Sequence, residues 1–167
     1  RRQRQMCIRD SYKDASIEIF DSSTNSMQMG FIALEAAKAA MSGKTMEEVM
    51  KVAESVKENS RFLFVPDTLK YLQKGGRIGK ASAILGGIFQ IKPILTVENG
   101  ETTVFEKVRT KKKAVDSILN KVLEDCNNKG IGDVIVHHIN CEDEGMELAK
   151  KLEEKLNICL LYTSDAA

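Results

Sequence analysis

Residues 66–109 read PDTLKYLQKGGRIGKASAILGGIFQIKPILTVENGETTVFEKVR and contain most of the local structure signals of this chain. The first of these signals predicts an amphipathic helix over 67–74. That helix should end at Gly75-Gly76, because glycine enters the left-handed backbone conformation without a steric cost. The charged residue Arg77 follows directly and is adjacent in sequence to apolar residues.

The second signal is a β-hairpin. Its strands are expected at 91–97 and 102–108, with Asn99-Gly100 between them. Asn-Gly between two runs of strand-forming residues is the strongest short hairpin signal that a sequence offers. Before the hairpin, residues 81–89 form a small-residue apolar segment that contains two glycines, and Arg109 follows the second strand.

These segments together predict an apolar, glycine-containing surface with an arginine at each end. One interpretation is a pocket for a long apolar ligand with an anionic head group, because the guanidinium group offers several donors to carboxylate or phosphate. The other interpretation is an ordinary hydrophobic core with two solvated arginines. From spacing alone the second is favoured, because apolar runs are usually core.

The ordered motifs LxYLxKGGRI, IKPIL, NG and KVRTKKKA, together with DSSTNSMQMG at residues 21–30, resemble the DegV family. The resemblance extends over about residues 17–156. DegV proteins are bacterial fatty-acid-binding proteins and include the FakB subunit of the fatty acid kinase system. The resemblance implies an α/β fold with a mixed sheet and flanking helices: the second lobe of a two-lobed protein, preceded by the end of the first lobe.

The resemblance further implies a cytoplasmic, non-catalytic lipid-binding protein without a cofactor. Its ligand would be a long-chain fatty acid, whose carboxylate a kinase subunit converts to an acyl phosphate; a transient contact with a membrane surface would collect or deliver the lipid. Arg77 would contribute to the head-group environment, and Arg109 would dock the kinase. For each apolar residue of the implied pocket, core packing is an equal competitor. The implied acyl-chain pocket consists of Met27, Met29, Ile78, Ile84, Leu85, Ile88, Phe89, Ile91 and Ile94.

The remainder of the chain alternates between strand and helix patterns, which is typical of α/β proteins. Thr45 and Glu48 form a capping-box pattern at the start of one helix. The helix over 27–41 is apolar on most faces, which predicts a buried helix. Strands are predicted at 16–20, 61–65 and 133–139, and helices at 27–41, 45–57, 110–127 and 142–156.

Both ends of the chain are expected to be foreign to the fold. RRQRQMCIRDS and CLLYTSDAA can both be encoded by one DNA sequence read on its two strands, as a sequencing adapter at both ends of an insert would give. We therefore expect adapter-derived tails at 1–11 and 159–167 and a partial DegV-like domain at 12–158. The first-lobe Thr and Ser that contact the carboxylate in the family, and its terminal HxGPG segment, have no counterpart in this sequence.

Composition narrows the class of protein. The 167 residues carry a net charge of +1, and no apolar run approaches the length of a membrane-spanning helix. Without the four arginines of residues 1–11 and without Asp10 and Asp165, 21 basic and 22 acidic residues remain, for a net charge of −1. Near-neutral charge argues against general nucleic-acid binding.

Other motifs support catalysis or nucleic-acid binding weakly. GGRIGKAS lacks the first glycine and the final Ser/Thr of a phosphate loop. His137-His138 lie in one predicted strand and point to opposite faces, and Cys141 has no evident catalytic partner, so structural roles are favoured for all three. A phosphotransferase of the dihydroxyacetone-kinase type is the alternative function. A DNA-associated regulator using the lysines of 111–113 is a third hypothesis, although a solvated face is the usual explanation for such a run.

Overall fold

The computed structural model describes residue 7 and residues 10–12, 15–85, 91–130, 132–156 and 164–165. The chain divides into two compact units, which are described separately. The first unit contains Arg1–Phe62 and Val97–Glu101, and the second contains Leu63–Thr96 and Thr102–Ala167.

The first unit is built on two packed helices, α1 (Ser26–Met41) and α2 (Met46–Asn59). Helix α2 begins with the predicted capping box. The Glu48 N–H donates to Thr45 Oγ1 over 3.4 Å, and the Thr45 N–H donates to Glu48 Oε2 over 2.8 Å. Since two otherwise unpartnered N–H groups are satisfied, the start of α2 is fixed by local chemistry.

The predicted bounds of α1 are confirmed, but its predicted burial is wrong for the described residues. Only Ile32 and Ala39 of this helix are buried. Met29 and Leu34 are each 50% exposed, and Met41 is 89% exposed. An apolar sequence on most faces therefore gives one covered stripe on α1, and within the first unit α2 is the helix that packs on it.

Most residues of a three-stranded antiparallel sheet belong to the second unit, whereas Val97, Glu98 and Glu101 of its strands belong to the first. The strand order is β1-β2-β3, formed by β1 (Leu63–Phe64), β2 (Lys92–Glu98) and β3 (Glu101–Val108). Strand β1 pairs antiparallel with β2. Asn99 has φ 52° and Gly100 has φ 78°, as a two-residue hairpin turn requires. The predicted hairpin is therefore confirmed.

Helix α3 (Lys70–Lys74) is shorter than the predicted helix over 67–74. The Lys70 N–H donates to Thr68 Oγ1 over 3.2 Å, and Lys92 Nζ donates to the Asp67 carbonyl over 3.1 Å. Side-chain hydrogen bonds of this kind compete with helical ones, so the helix begins only after Thr68. A short 3-10 helix, Gly79–Ile84, follows.

Two longer helices, α4 (Lys111–Lys129) and α5 (Glu142–Leu156), contribute side chains to a separate core cluster in the second unit. The cluster centres on Leu119, Val136 and Leu152, which are 4%, 7% and 2% exposed. Both helices were predicted from their periodicity and are confirmed. None of the helices among the described residues has both the length and the apolar character needed to cross a membrane.

The predicted strands are the least accurate part of the sequence analysis. Residues 16–20 are irregular, and the strands expected at 61–65 and 133–139 shrink to β1 and to β4 (His137–His138). Strand β4 pairs in parallel with β5 (Ser164–Asp165). A strand exists only where a neighbour supplies ladder hydrogen bonds, and alternation in the sequence does not provide that neighbour. The α/β class with a sheet and flanking helices is nevertheless confirmed.

Candidate functional site

The backbone of Arg77 is fixed on its amino side by the end of helix α3. Gly76 adopts φ 64°, and its N–H donates to the Gln73 carbonyl over 3.1 Å. The Arg77 N–H donates to the Leu72 carbonyl over 2.8 Å. These two bonds form a Schellman motif, so the glycine pair recognised in the sequence determines where Arg77 leaves the helix.

The carboxyl side of Arg77 is fixed by the start of β3. Thr102 Oγ1 donates a hydrogen bond to the Arg77 carbonyl over 2.8 Å. Gly79, with φ 51°, lies against the same residue: a Cβ atom at Gly79 would be 2.6 Å from the Thr102 carbonyl oxygen. The segment from Gly76 to Gly79 therefore contacts the edge of the hairpin directly, while the Arg77 side chain is exposed.

Arg109 is exposed immediately after the end of β3. It lies seven positions after Thr102, which corresponds to about 23 Å at 3.3 Å per residue of extended strand. The two arginines singled out in the sequence are therefore attached at opposite ends of β3. They cannot both be close to one small head group.

The implied acyl-chain residues differ in exposure. In the first unit Met27 is half-buried and lies over Gly30. A Cβ atom at Gly30 would come within 2.9 Å of the Met27 sulfur. Met29, in contrast, is 50% exposed. Of the second-unit residues, Ile94 is completely buried and Leu85 is 37% exposed. Three other second-unit residues of the implied pocket are half-buried: Ile78, Ile84 and Ile91. The last two, Ile88 and Phe89, lie outside the described residues.

A charged cluster joins the start of α4 to its surroundings. Lys111 Nζ contacts Glu144 Oε2 and lies 3.6 Å from Asp67 Oδ1, and Lys92 Nζ lies 3.6 Å from the same Asp67 oxygen. The hydrogen bond from Lys111 to Glu144 raises the pKa of Lys111. The first lysine of the 111–113 run is therefore paired with acidic side chains of the same chain at the protein surface, which reduces the unfavourable charge at the amino end of α4.

A family model described as "uncharacterised protein, DegV family" matches residues 3–166 of this chain. The chain belongs to the DegV family. A DegV domain-containing protein of Clostridium acetobutylicum is 54% identical over 155 residues, which are 93% of this chain and 54% of that relative. The chain spans about half the length of the curated DegV relatives that it matches.

Solved DegV structures match the fold as well as the sequence. A fatty-acid-binding DegV family protein from Streptococcus agalactiae has a TM-score of 0.87 at 26% identity, covering 98% of this chain and 58% of its own. A protein from Eubacterium ventriosum described as a stearic-acid-binding protein has a TM-score of 0.79 at 26% identity, covering 95% of this chain and 55% of its own. Relatives of this chain thus carry fatty acids as ligands.

Sequence reasoning missed the contact partners of the predicted DegV site residues. Thr102 was assigned only to a strand, and Asp67 and Glu144 to helix ends. The sequence does contain an indication of the Gly79 conformation, because a second glycine three residues after Gly76 suggests a second left-handed position. The contact of Gly79 with Thr102 had no signal, since it depends on how the hairpin folds back over residues distant in sequence.

The remaining sequence candidates have structural surroundings. His138 packs against Gly145 of α5, where a Cβ would lie 3.1 Å from the His138 Cβ. Cys126 and Cys141 are half-buried thiols, and burial raises the pKa of Cys126. Within the described part of the chain, no three His, Cys, Asp or Glu residues are grouped in a way that holds a metal ion.

Proposed function

We propose that this chain is part of a fatty-acid-binding protein that buries a long acyl chain and presents its carboxylate to a kinase. The observation that carries the proposal is the combined fold and sequence similarity to proteins described as fatty-acid-binding, at TM-scores of 0.87 and 0.79. Because the chain spans about half of its curated relatives, binding by the whole protein uses residues beyond those in this sequence.

Burial of the acyl chain supplies most of the affinity in this proposal. Each buried methylene contributes about 0.8 kcal/mol, so a long saturated tail binds tightly with few polar contacts. In the second unit the tail contacts apolar residues such as Ile78 and Ile84, which follow Arg77 in sequence and are half-buried. Partial exposure leaves these side chains able to contact a bound acyl chain.

Arg77 has the role of stabilising the anionic head group. Its backbone is hydrogen-bonded on both sides and its guanidinium group is exposed, so the side chain is available to a ligand at a defined place. Guanidinium groups bind carboxylates with charge-assisted hydrogen bonds, which are about twice as strong as neutral ones.

Arg109 has the role of docking the kinase subunit. It lies about one strand length from the Arg77 attachment point, which suits contact with a partner better than contact with the same head group. In the reaction, a carboxylate oxygen of the fatty acid attacks the terminal phosphorus of ATP held by the kinase. The new bond is an acyl-phosphate bond, and ADP leaves. The DegV subunit contributes binding and presentation and no catalytic group.

The proposed organisation is a partial DegV domain at 12–158, holding the end of the first lobe and most of the second, within a cytoplasmic protein. The segments 1–11 and 159–167 are proposed to be adapter-derived. Amplification of the source locus outward from codons inside 12–158 tests this: other flanking sequences support it, and recovery of the same two ends from genomic DNA refutes it.

The ligand proposal is tested by mixing the purified chain with stearic acid and measuring the bound fraction by native mass spectrometry. Arg77→Ala should weaken binding by about tenfold, corresponding to about 1.4 kcal/mol for a lost charge-assisted contact. Lys74→Ala removes a nearby exposed charge from the end of α3 and is the matched control. Equal losses in the two variants contradict a specific role for Arg77.

The partner proposal has a separate test. A purified fatty acid kinase subunit, ATP and the lipid-loaded chain are combined, and the acyl phosphate is trapped with hydroxylamine as a hydroxamate. Arg109→Ala should reduce the initial rate at limiting chain concentration and leave stearic acid binding unchanged. Lys112→Ala, an exposed cation three residues away, is the control.

A further inference from the structure

The direction in which the Arg77 side chain leaves the backbone is set by two peptide planes. The plane before Arg77 is held by the bond from its N–H to the Leu72 carbonyl, at 2.8 Å. The plane after it is held by the bond from Thr102 Oγ1 to the Arg77 carbonyl, also at 2.8 Å. Because peptide units are planar, fixing both planes fixes the Cα–Cβ vector between them.

The two holding bonds differ in origin. The bond to Leu72 belongs to the end of α3 and forms with that helix. The bond from Thr102 comes from a residue 25 positions away, and it exists only when the hairpin is folded against the segment. The absence of a side chain at Gly79 permits this approach, since a Cβ there would lie 2.9 Å from the Thr102 nitrogen.

We propose that Thr102 is a positioning residue that directs the Arg77 guanidinium toward the ligand head group by holding the Arg77 carbonyl. This inference rests on the proposed function and adds a residue that acts on the head group only through another residue. Loss of the Thr102 hydroxyl leaves the helix end intact and releases the second peptide plane. Because the Arg77 carbonyl lies at an exposed position, water can replace the lost bond, and the main consequence is loss of direction rather than loss of folding.

The chain provides a matched set of variants. Thr102→Val keeps the branched shape that suits a strand and removes only the hydroxyl, whereas Thr102→Ser keeps the hydroxyl. Thr103→Val is the control, because Thr103 is 8% exposed and its Oγ1 has no hydrogen-bond partner among the described residues. Arg77→Ala gives the full effect of removing the head-group contact.

The measurement is the ratio of affinities of the purified chain for stearic acid and for 1-octadecanol, obtained by displacement of a fluorescent fatty acid. The alcohol has the same tail and no anionic head, so damage to the tail pocket changes both affinities and leaves the ratio unchanged. Arg77→Ala should lower the ratio by about tenfold. Thr102→Val should lower it to an intermediate value, and Thr102→Ser should restore it.

A thermodynamic cycle isolates the action through Arg77. In the Arg77→Ala background, Thr102→Val should cause no further change in the ratio. An unchanged ratio for Thr102→Val beside a lowered ratio for Arg77→Ala overturns the inference and leaves the proposed function standing. The inference is also overturned if Thr103→Val lowers the affinity ratio as much as Thr102→Val does. It is overturned as well if Thr102→Val lowers the ratio by its full amount when added to Arg77→Ala. If the full-length protein, recovered from the source locus with its flanking sequence, binds neither ligand, the proposed function is refuted together with the inference.

Discussion

Gly79→Ala is the substitution that tests the geometry of the Arg77 segment most severely. Gly76 and Gly79 both have left-handed backbone conformations, with φ of 64° and 51°. An L-residue in this conformation costs roughly 1–2 kcal/mol, and the stiffer unfolded chain offsets about 0.4–1 kcal/mol of that cost. Backbone conformation alone therefore predicts a similar loss of about 1 kcal/mol at either glycine.

The surroundings of the two glycines differ. A Cβ at Gly76 meets nothing within 4 Å, whereas a Cβ at Gly79 comes within 2.6 Å of the Thr102 carbonyl oxygen. A backbone atom cannot move aside as a flexible side chain can, so the steric cost adds about 1–3 kcal/mol. Gly79→Ala should thus lower the free energy of unfolding by about 2–4 kcal/mol.

Thermal unfolding followed by circular dichroism measures the difference between the two variants. At about 2–4 °C per kcal/mol for a chain of this size, Gly76→Ala should lower the melting temperature by a few degrees. Gly79→Ala should lower it by roughly twice to four times as much, or prevent folding. Equal shifts in the two variants would refute the close contact between Gly79 and Thr102.

Three further predictions concern the helices and the core. Thr45→Ala should cost about 1 kcal/mol in the free energy of unfolding through loss of the cap. The Thr45 N–H and hydroxyl lower the pKa of Glu48. The stabilisation from that carboxylate is therefore present above its ordinary pKa of about 4.5 and fades as the pH falls through the lower folded value. Lys111→Met should lower the free energy of unfolding by less than about 1 kcal/mol at low salt. Because the pKa of Lys111 is raised in the folded state, the stabilisation from this lysine is present below about pH 10.4. That stabilisation is lost as the pH rises through the folded pKa. Leu152→Ala should cost about 2–5 kcal/mol, because this side chain is 2% exposed in the core cluster.

Each of these predictions has a control in the same region. Lys112→Met removes an exposed lysine adjacent to Lys111 and should change the free energy of unfolding less than Lys111→Met does. Met146→Ala truncates a side chain of α5 that is 52% exposed, so it should cost far less than the core substitution in urea denaturation. A Thr45→Ala variant as stable as the parent at pH 7 would contradict the capping contact.

Local chemistry explains which parts of the fold were predictable. The capping box of Thr45, the turn at Asn99-Gly100 and the glycine stop after α3 each act within a few residues, so the sequence contains the complete signal. The strand predicted at 16–20 failed because pairing depends on a second segment. The predicted burial of α1 failed for a related reason, since apolar faces are covered only where another element packs on them.

The same distinction applies to the candidate site. The sequence identifies Arg77 because its glycine neighbours are adjacent. It cannot identify Thr102 as the partner of the Arg77 carbonyl, because this contact joins residues separated by 25 positions. Nor does it reveal that Lys111 is paired with Glu144, because α4 and α5 are far apart in the chain. Contacts between segments that are distant in the chain therefore cannot be predicted from local sequence patterns.

Native mass spectrometry of the purified chain, after expression in bacteria and followed by denaturing lipid extraction, tests the central claim most directly. The account predicts a bound species whose added mass equals that of one long-chain fatty acid, which denaturation releases. A folded chain that retains a nucleotide in place of the lipid would contradict it.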